Sequence, residues 1–129
     1  MIVLDTHIWI WLANRSERLS DHHRHIIQER QSEGLGISVI SCWEVAKLVE
    51  YGRLKIACPV EEWIDGALAL PDMQLLGLTP RIAISSTKLP GDFHRDPADQ
   101  VIVATAREYD CELLTVDDKI LKYAHVKTL

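Results

Sequence analysis

The sequence predicts an α/β fold, a mostly parallel central sheet of about five strands covered by helices on both faces, giving three layers. Two observations carry this. Short runs that are almost wholly apolar alternate with longer stretches of helical spacing, the pattern of strands buried on both faces. The helical stretches open on cap residues or first-turn prolines, which marks where each one begins.

Met1 to Leu4 ends in Asp5 and reads as a buried strand, with a short apolar helix from Ile8 to Ala13 after it. Leu19 to Glu33 carries Leu19, His22, Ile26, Ile27 and Arg30 at helical spacing, with Ser20 or Asp21 as its cap. Gly34 and Gly36 flank a break, and Leu35 to Val39 reads as the second strand. Ser41 opens a helix to about Tyr51, which Gly52 closes. Pro59 precedes a helix from Val60 to Leu70, and Leu75 to Leu78 is a third strand. Thr79-Pro80 starts a helix to about Lys88, and Leu89 to Arg95 is a polar loop. Asp96-Pro97 opens the clearest helix, to about Tyr109. Cys111 to Val116 is a fourth strand, Asp117 opens a short helix, and Val126 to Leu129 forms a last strand.

The chain's 129 residues suit one folding unit, residues 1–129, with no repeat or long linker. Hydrophobic residues at 47% and charged residues at 26% are the balance of an ordinary globule. No apolar run approaches the roughly 18 residues that cross a bilayer, and MIVLD is not laid out as a signal peptide. The expectation is a cytoplasmic protein with no membrane partner. Cys42, Cys58 and Cys111 lack metal spacing and read as reduced thiols. The formal net charge of −5 weighs mildly against a nucleic-acid ligand, since free-standing binders are usually basic.

Four acids draw the eye. Asp5 and Asp117 follow strands, and Glu44 and Asp99 fall in the first turns of helices. In a parallel sheet these positions share one edge, where ligands bind. Crowded carboxylates suit Mg²⁺ or Mn²⁺, and a carboxylate–metal site suits phosphodiester cleavage. Each acid also has a helix-capping reading. Ser41-Cys42-Trp43-Glu44 fits a capping box, Asp96-Pro97-Ala98-Asp99 places Asp96 as cap, and Asp5 or Asp117 can cap the helix after it. Asp96, Thr6 and Thr115 are secondary candidates, the two threonines because their hydroxyls sit beside Asp5 and Asp117.

At these residues the chain resembles a known family. Val3 to Leu12 (VLDTHIWIWL), Ile37 to Leu54 (ISVISCWEVAKLVEYGRL), Leu89 to Ala106 (LPGDFHRDPADQVIVATA) and Leu113 to Leu121 (LLTVDDKIL) look like the four ordered blocks of PIN-domain proteins, above all the VapC-type toxin ribonucleases. The resemblance implies a three-layer fold and a Mg²⁺- or Mn²⁺-dependent endoribonuclease. It further implies a type II toxin–antitoxin pair with a small VapB-like antitoxin, and a homodimer. By position it gives Asp5, Glu44, Asp99 and Asp117 the catalytic and metal-binding roles. Where relatives commonly carry a basic residue after the third acid, this chain has Gln100.

Two other readings compete with a nuclease. A PIN-like domain can bind RNA or protein without cutting. A phosphoacceptor receiver domain also gathers acids at strand ends, but needs an aspartate closing the third strand, where this chain has Thr79. His7 and His94 stand beside the acid blocks as candidate substrate contacts, and His22, His23 and His25 read as a solvated helix face. Trp43 is expected to pack under the site, most of Trp9, Trp11, Trp43 and Trp63 to belong to the core, and an exposed one of Trp9 and Trp11 would suit a partner or dimer surface. Arg15, Arg18, Arg24, Arg53, Lys55 and Arg95 are candidate contacts for RNA backbone.

Overall fold

A computed structural model describes all residues 1–129. Four parallel strands, β1 (Ile2–Leu4), β2 (Leu35–Ser38), β3 (Met73–Leu76) and β4 (Glu112–Leu114), form one sheet in the order β3-β2-β1-β4. Seven helices connect them: α1 (Thr6–Ala13), α2 (Asp21–Arg30), α3 (Val39–Glu50), α4 (Val60–Leu68), α5 (Pro80–Ser86), α6 (Pro97–Glu108) and α7 (Asp118–Leu121). The expected fifth strand is reduced to one bridge between Leu113 and Thr128. The Leu113 N–H donates to Lys127 O and the Leu129 N–H to Leu113 O, and no longer ladder forms there.

The sheet divides the interior. Ile2, Leu4, Leu35, Ile37 and Leu114 face one core with Ile8, Trp9, Val45 and Trp63 of the helices. Val3, Leu76 and Leu113 face the other with Ile102, Val103, Ala106 and Ile120. Neighbouring strand residues therefore point to opposite cores, and the edge strand β3 leaves Gln74 and Leu75 exposed, while both faces of β1, β2 and β4 are covered. That is why the strands read as continuous apolar runs.

Three expectations change, the first being that the third strand runs over Met73–Leu76 rather than Leu75 to Leu78. Gly36 lies inside β2 rather than at a break, and its missing side chain matters: a Cβ there would stand 2.8 Å from Leu76 Cδ1. The helix after β2 begins at Val39, not after Ser41, because the Ser38 hydroxyl accepts from the Ile40 N–H (3.2 Å) and caps it.

Strand order reverses between β2 and β4 on either side of β1. The crevice at such a reversal, beyond the carboxyl ends of the strands, is where ligands bind in open parallel sheets.

Candidate active site

Asp5 leaves the end of β1 into this crevice and is only 5% exposed. Both carboxylate oxygens are held. Oδ1 accepts from the Thr6 N–H (2.8 Å), capping α1, and Oδ2 accepts from the Thr115 hydroxyl (2.6 Å). Burial pushes its pKa up, and these two hydrogen bonds oppose the rise. Thr115, just beyond β4, also accepts from the Asp117 N–H (3.0 Å), so one buried hydroxyl ties Asp5 to the turn that carries Asp117.

Glu44 lies in the second turn of α3, too far along to reach back to a cap. The capping-box reading fails for that reason. Ser41 instead is fully buried, and its hydroxyl shares a hydrogen bond with Thr6 Oγ1 (2.8 Å). Thr6 in turn donates to Glu44 Oε1 (2.5 Å). With Thr6 donating to the carboxylate, Ser41 is left to donate to Thr6. Burial raises the Glu44 pKa, with the charges of Asp5 and Asp96 adding to the rise.

Asp96 Oδ1 accepts from the Asp99 N–H (3.0 Å) and caps α6. Asp99, at the third helical position, is pushed up to about 8 by burial first, then by the charges of Asp5, Asp96, Asp117 and Glu44. Asp117 caps α7 through Oδ1, which accepts from the Lys119 and Ile120 N–H groups (2.8 and 3.2 Å). Capping and site placement are thus compatible: Asp5, Asp96 and Asp117 cap helices, and all three line the crevice with Glu44 and Asp99.

The crevice has a volume of about 510 Å³. Beyond the five acids its walls include His7, Trp11 and Arg18. Of the cationic candidates from the sequence, only Arg18 reaches it. Trp11 lies 5.9 Å from the His7 ring, while Trp9 is buried edge-on against Trp63 (5.2 Å). Trp43 does not pack under the site. It is 51% exposed, with the Lys47 ammonium 6.0 Å from its ring.

His94 is drawn in more deeply than its sequence position suggests. Its Nε2 lies 3.0 Å from Asp99 Oδ2, is buried, and makes no in-line hydrogen bond. Ligand atoms of His94, Asp99 and Asp117 all lie within 4.8 Å of one another. Three ligand atoms this close, on His94 and on two carboxylates, one of them pushed up to about 8 by burial first and then by its charged neighbours, fit a divalent cation. The mostly oxygen donor set suits Mg²⁺ or Mn²⁺. Gln100 turns away from this centre, and its amide donates to the His94 carbonyl (3.0 Å), bracing the loop. The other histidines gather no metal set: His25 pairs with Glu29 (3.1 Å) and His23 bonds Ser20 (2.8 Å) on the exposed face of α2.

The family described as "PIN domain" matches residues 2–126. Ribonuclease VapC22 of Mycobacterium tuberculosis is 32% identical over 124 residues, which are 96% of this chain and 92% of that protein. Two solved structures share the fold at lower identity. The VapBC2 complex of Rickettsia felis bound to a promoter DNA fragment superposes with a TM-score of 0.73 at 15% identity, covering 100% of this chain and 98% of that one. FitAcB of Neisseria gonorrhoeae superposes with a TM-score of 0.71 at 20% identity, covering 100% of this chain and 96% of that one.

Proposed function

The chain belongs to the PIN-domain family, and on that premise we propose that it is a Mg²⁺- or Mn²⁺-dependent endoribonuclease, the toxin of a type II toxin–antitoxin pair. The observation that carries the reading is the acid crevice. Asp5, Glu44, Asp99 and Asp117 come from four separate segments and line one cavity, and burial first and their mutual repulsion second push the Asp99 pKa up to about 8. Such crowding is costly unless a cation shares it.

In this reading Asp5 and Asp99 are the principal ligands, with Glu44 and Asp117 completing the set. Thr115 holds Asp5 at one oxygen, and Thr6 holds Glu44, so the carboxylates are oriented before substrate arrives. When bound, Mg²⁺ or Mn²⁺ supplies a lowered water pKa and stabilises charge on the phosphate oxygens. Arg18 offers a guanidinium at the rim for a neighbouring RNA phosphate. Residues 1–129 act as one unit, in the cytoplasm, as a homodimer inhibited by a small VapB-like protein. The partner reading draws support from the similarity to VapBC complexes. No helix is long and apolar enough to cross a membrane.

The test is cleavage of RNA by the purified chain with Mg²⁺ or Mn²⁺. EDTA should stop it, and Asp5→Asn should lower the rate by at least about 100-fold, the scale of losing a principal charge-stabilising group. A folded Asp5→Asn chain with full activity would sink the proposal.

A further inference from the structure

A second cavity, also of about 510 Å³, opens beside the acid crevice. Its character is the opposite. Lys119, Lys122 and His125 line it, with Asp92 as its one carboxylate. The lysines of this chain that enter ion pairs are Lys47 and Lys127, so the Lys119 and Lys122 ammonium groups have no carboxylate partner, and both side chains are exposed. In a chain of net charge −5, two unpaired cations facing one hollow are a local reversal of sign.

The floor is aromatic. Rings of His94, Phe93, Tyr123 and His125 follow one another at centroid distances of 4.5, 4.7 and 5.5 Å. Tyr123 is buried and its hydroxyl donates to the Pro90 carbonyl (2.5 Å), which ties the 89–95 loop to the end of α7. The row is therefore held on two sides.

The linings of the two cavities have no residue in common, and they are joined by a contact and a helix. His94 lines the basic one, while its Nε2 lies 3.0 Å from Asp99 Oδ2 in the acid one. Asp117 lines the acid one and caps α7, the helix that carries Lys119 into the basic one and leads directly to Lys122.

We propose that the Lys119–Lys122–Phe93 cavity is a subsite for the RNA strand that continues from the cut phosphate, its lysines holding backbone phosphates and its ring row taking a base. The inference rests on the nuclease reading and extends it to how the strand is held. Unpaired cations neutralise phosphates and release counterions, and aromatic platforms take bases of any identity. Continuity with the acid crevice through His94 and α7 favours a strand already seated there over an unrelated anion.

The experiment is fluorescence anisotropy with a labelled single-stranded RNA of mixed sequence, on the full chain freed of metal so that nothing is cut. The Lys119→Ala/Lys122→Ala chain should bind about tenfold more weakly, and the slope of log K against log salt should fall by about 1.4, the value for two single-strand phosphates. Lys119→Arg/Lys122→Arg should bind as the parent does. RNA carrying 4-thiouridine should crosslink to Phe93, Tyr123 or His125. An unchanged Kd and slope in the alanine chain overturns the subsite, even where the parent cuts RNA normally. An alanine chain that keeps RNA but loses an antitoxin assigns the lysines to the protein partner, and also overturns it. A parent that cuts no RNA, yet needs both lysines to bind it, overturns the nuclease reading and leaves the subsite standing.

Discussion

Asp99 titrates far above an ordinary aspartate because it is buried among four other carboxylates. The direction sets a pH dependence. Its folded pKa, about 8, lies above the unfolded value of about 3.9. Below both values the proton is bound in either state and costs nothing. Between them the folded chain keeps a proton that the unfolded chain has shed, so stability falls as pH rises through 8. Asp99→Asn removes this liability. In EDTA, its melting temperature should exceed the parent's by several degrees at pH 8, with the gap closing towards pH 4; a gap independent of pH would contradict the assignment. At this scale the sequence exposed the acids but not their states. Asp5 illustrates why: one oxygen caps α1 and the other meets Thr115, 110 residues away in sequence. Capping and site membership were alternatives on paper and are simultaneous in space.

At the scale of elements, the apolar runs and cap residues located every helix and the four strands, and the fifth strand they also suggested is only a bridge. The third strand lies two residues earlier than expected, and the start of α3 moved where a competing hydroxyl lay nearby. Ser38 and Ser41 both suit a cap, and Ser38 wins it because β2 ends there, freeing Ser41 for the buried chain Ser41–Thr6–Glu44. Gly36 has a reason of packing rather than of turning. Gly36→Ala would press its Cβ to within 2.8 Å of Leu76 Cδ1 and force β2 and β3 apart or Leu76 off its rotamer. The expected cost is about 1–3 kcal/mol, measured by denaturant unfolding. Because Ser38 and α3 follow directly, Glu44 should shift too, and metal affinity should fall together with stability. A Gly36→Ala chain as stable as the parent would show that Leu76 yields freely.

At the scale of the whole molecule, net charge proves a poor guide. The total of −5 conceals an acid crevice and a basic cavity side by side. On the proposed reading, in which the acid crevice holds a cation, stability depends on that cation. Mn²⁺ or Mg²⁺ at about 100 times its Kd should stabilise the fold by about 2.7 kcal/mol, read as a rise in melting temperature that EDTA reverses. Asp99→Asn should blunt the rise, and Lys119→Ala should not. Equal rises in the parent and Asp99→Asn would move the cation elsewhere.

What the sequence determined by itself was local or periodic: apolar runs, helix starts, and acids at strand ends, from which a parallel sheet and a shared edge follow. Those features depend on neighbours a few residues apart. The tertiary structure alone decided the rest of the site. It set Glu44 in the second turn of α3, drew His94 onto Asp99, brought only Arg18 to the crevice, and gathered Lys119 and Lys122 beside the aromatic row. Apart from the start of α3, which the Ser38 cap sets locally, each of these depends on how segments distant in the chain pack across the sheet, and that information has no period to read.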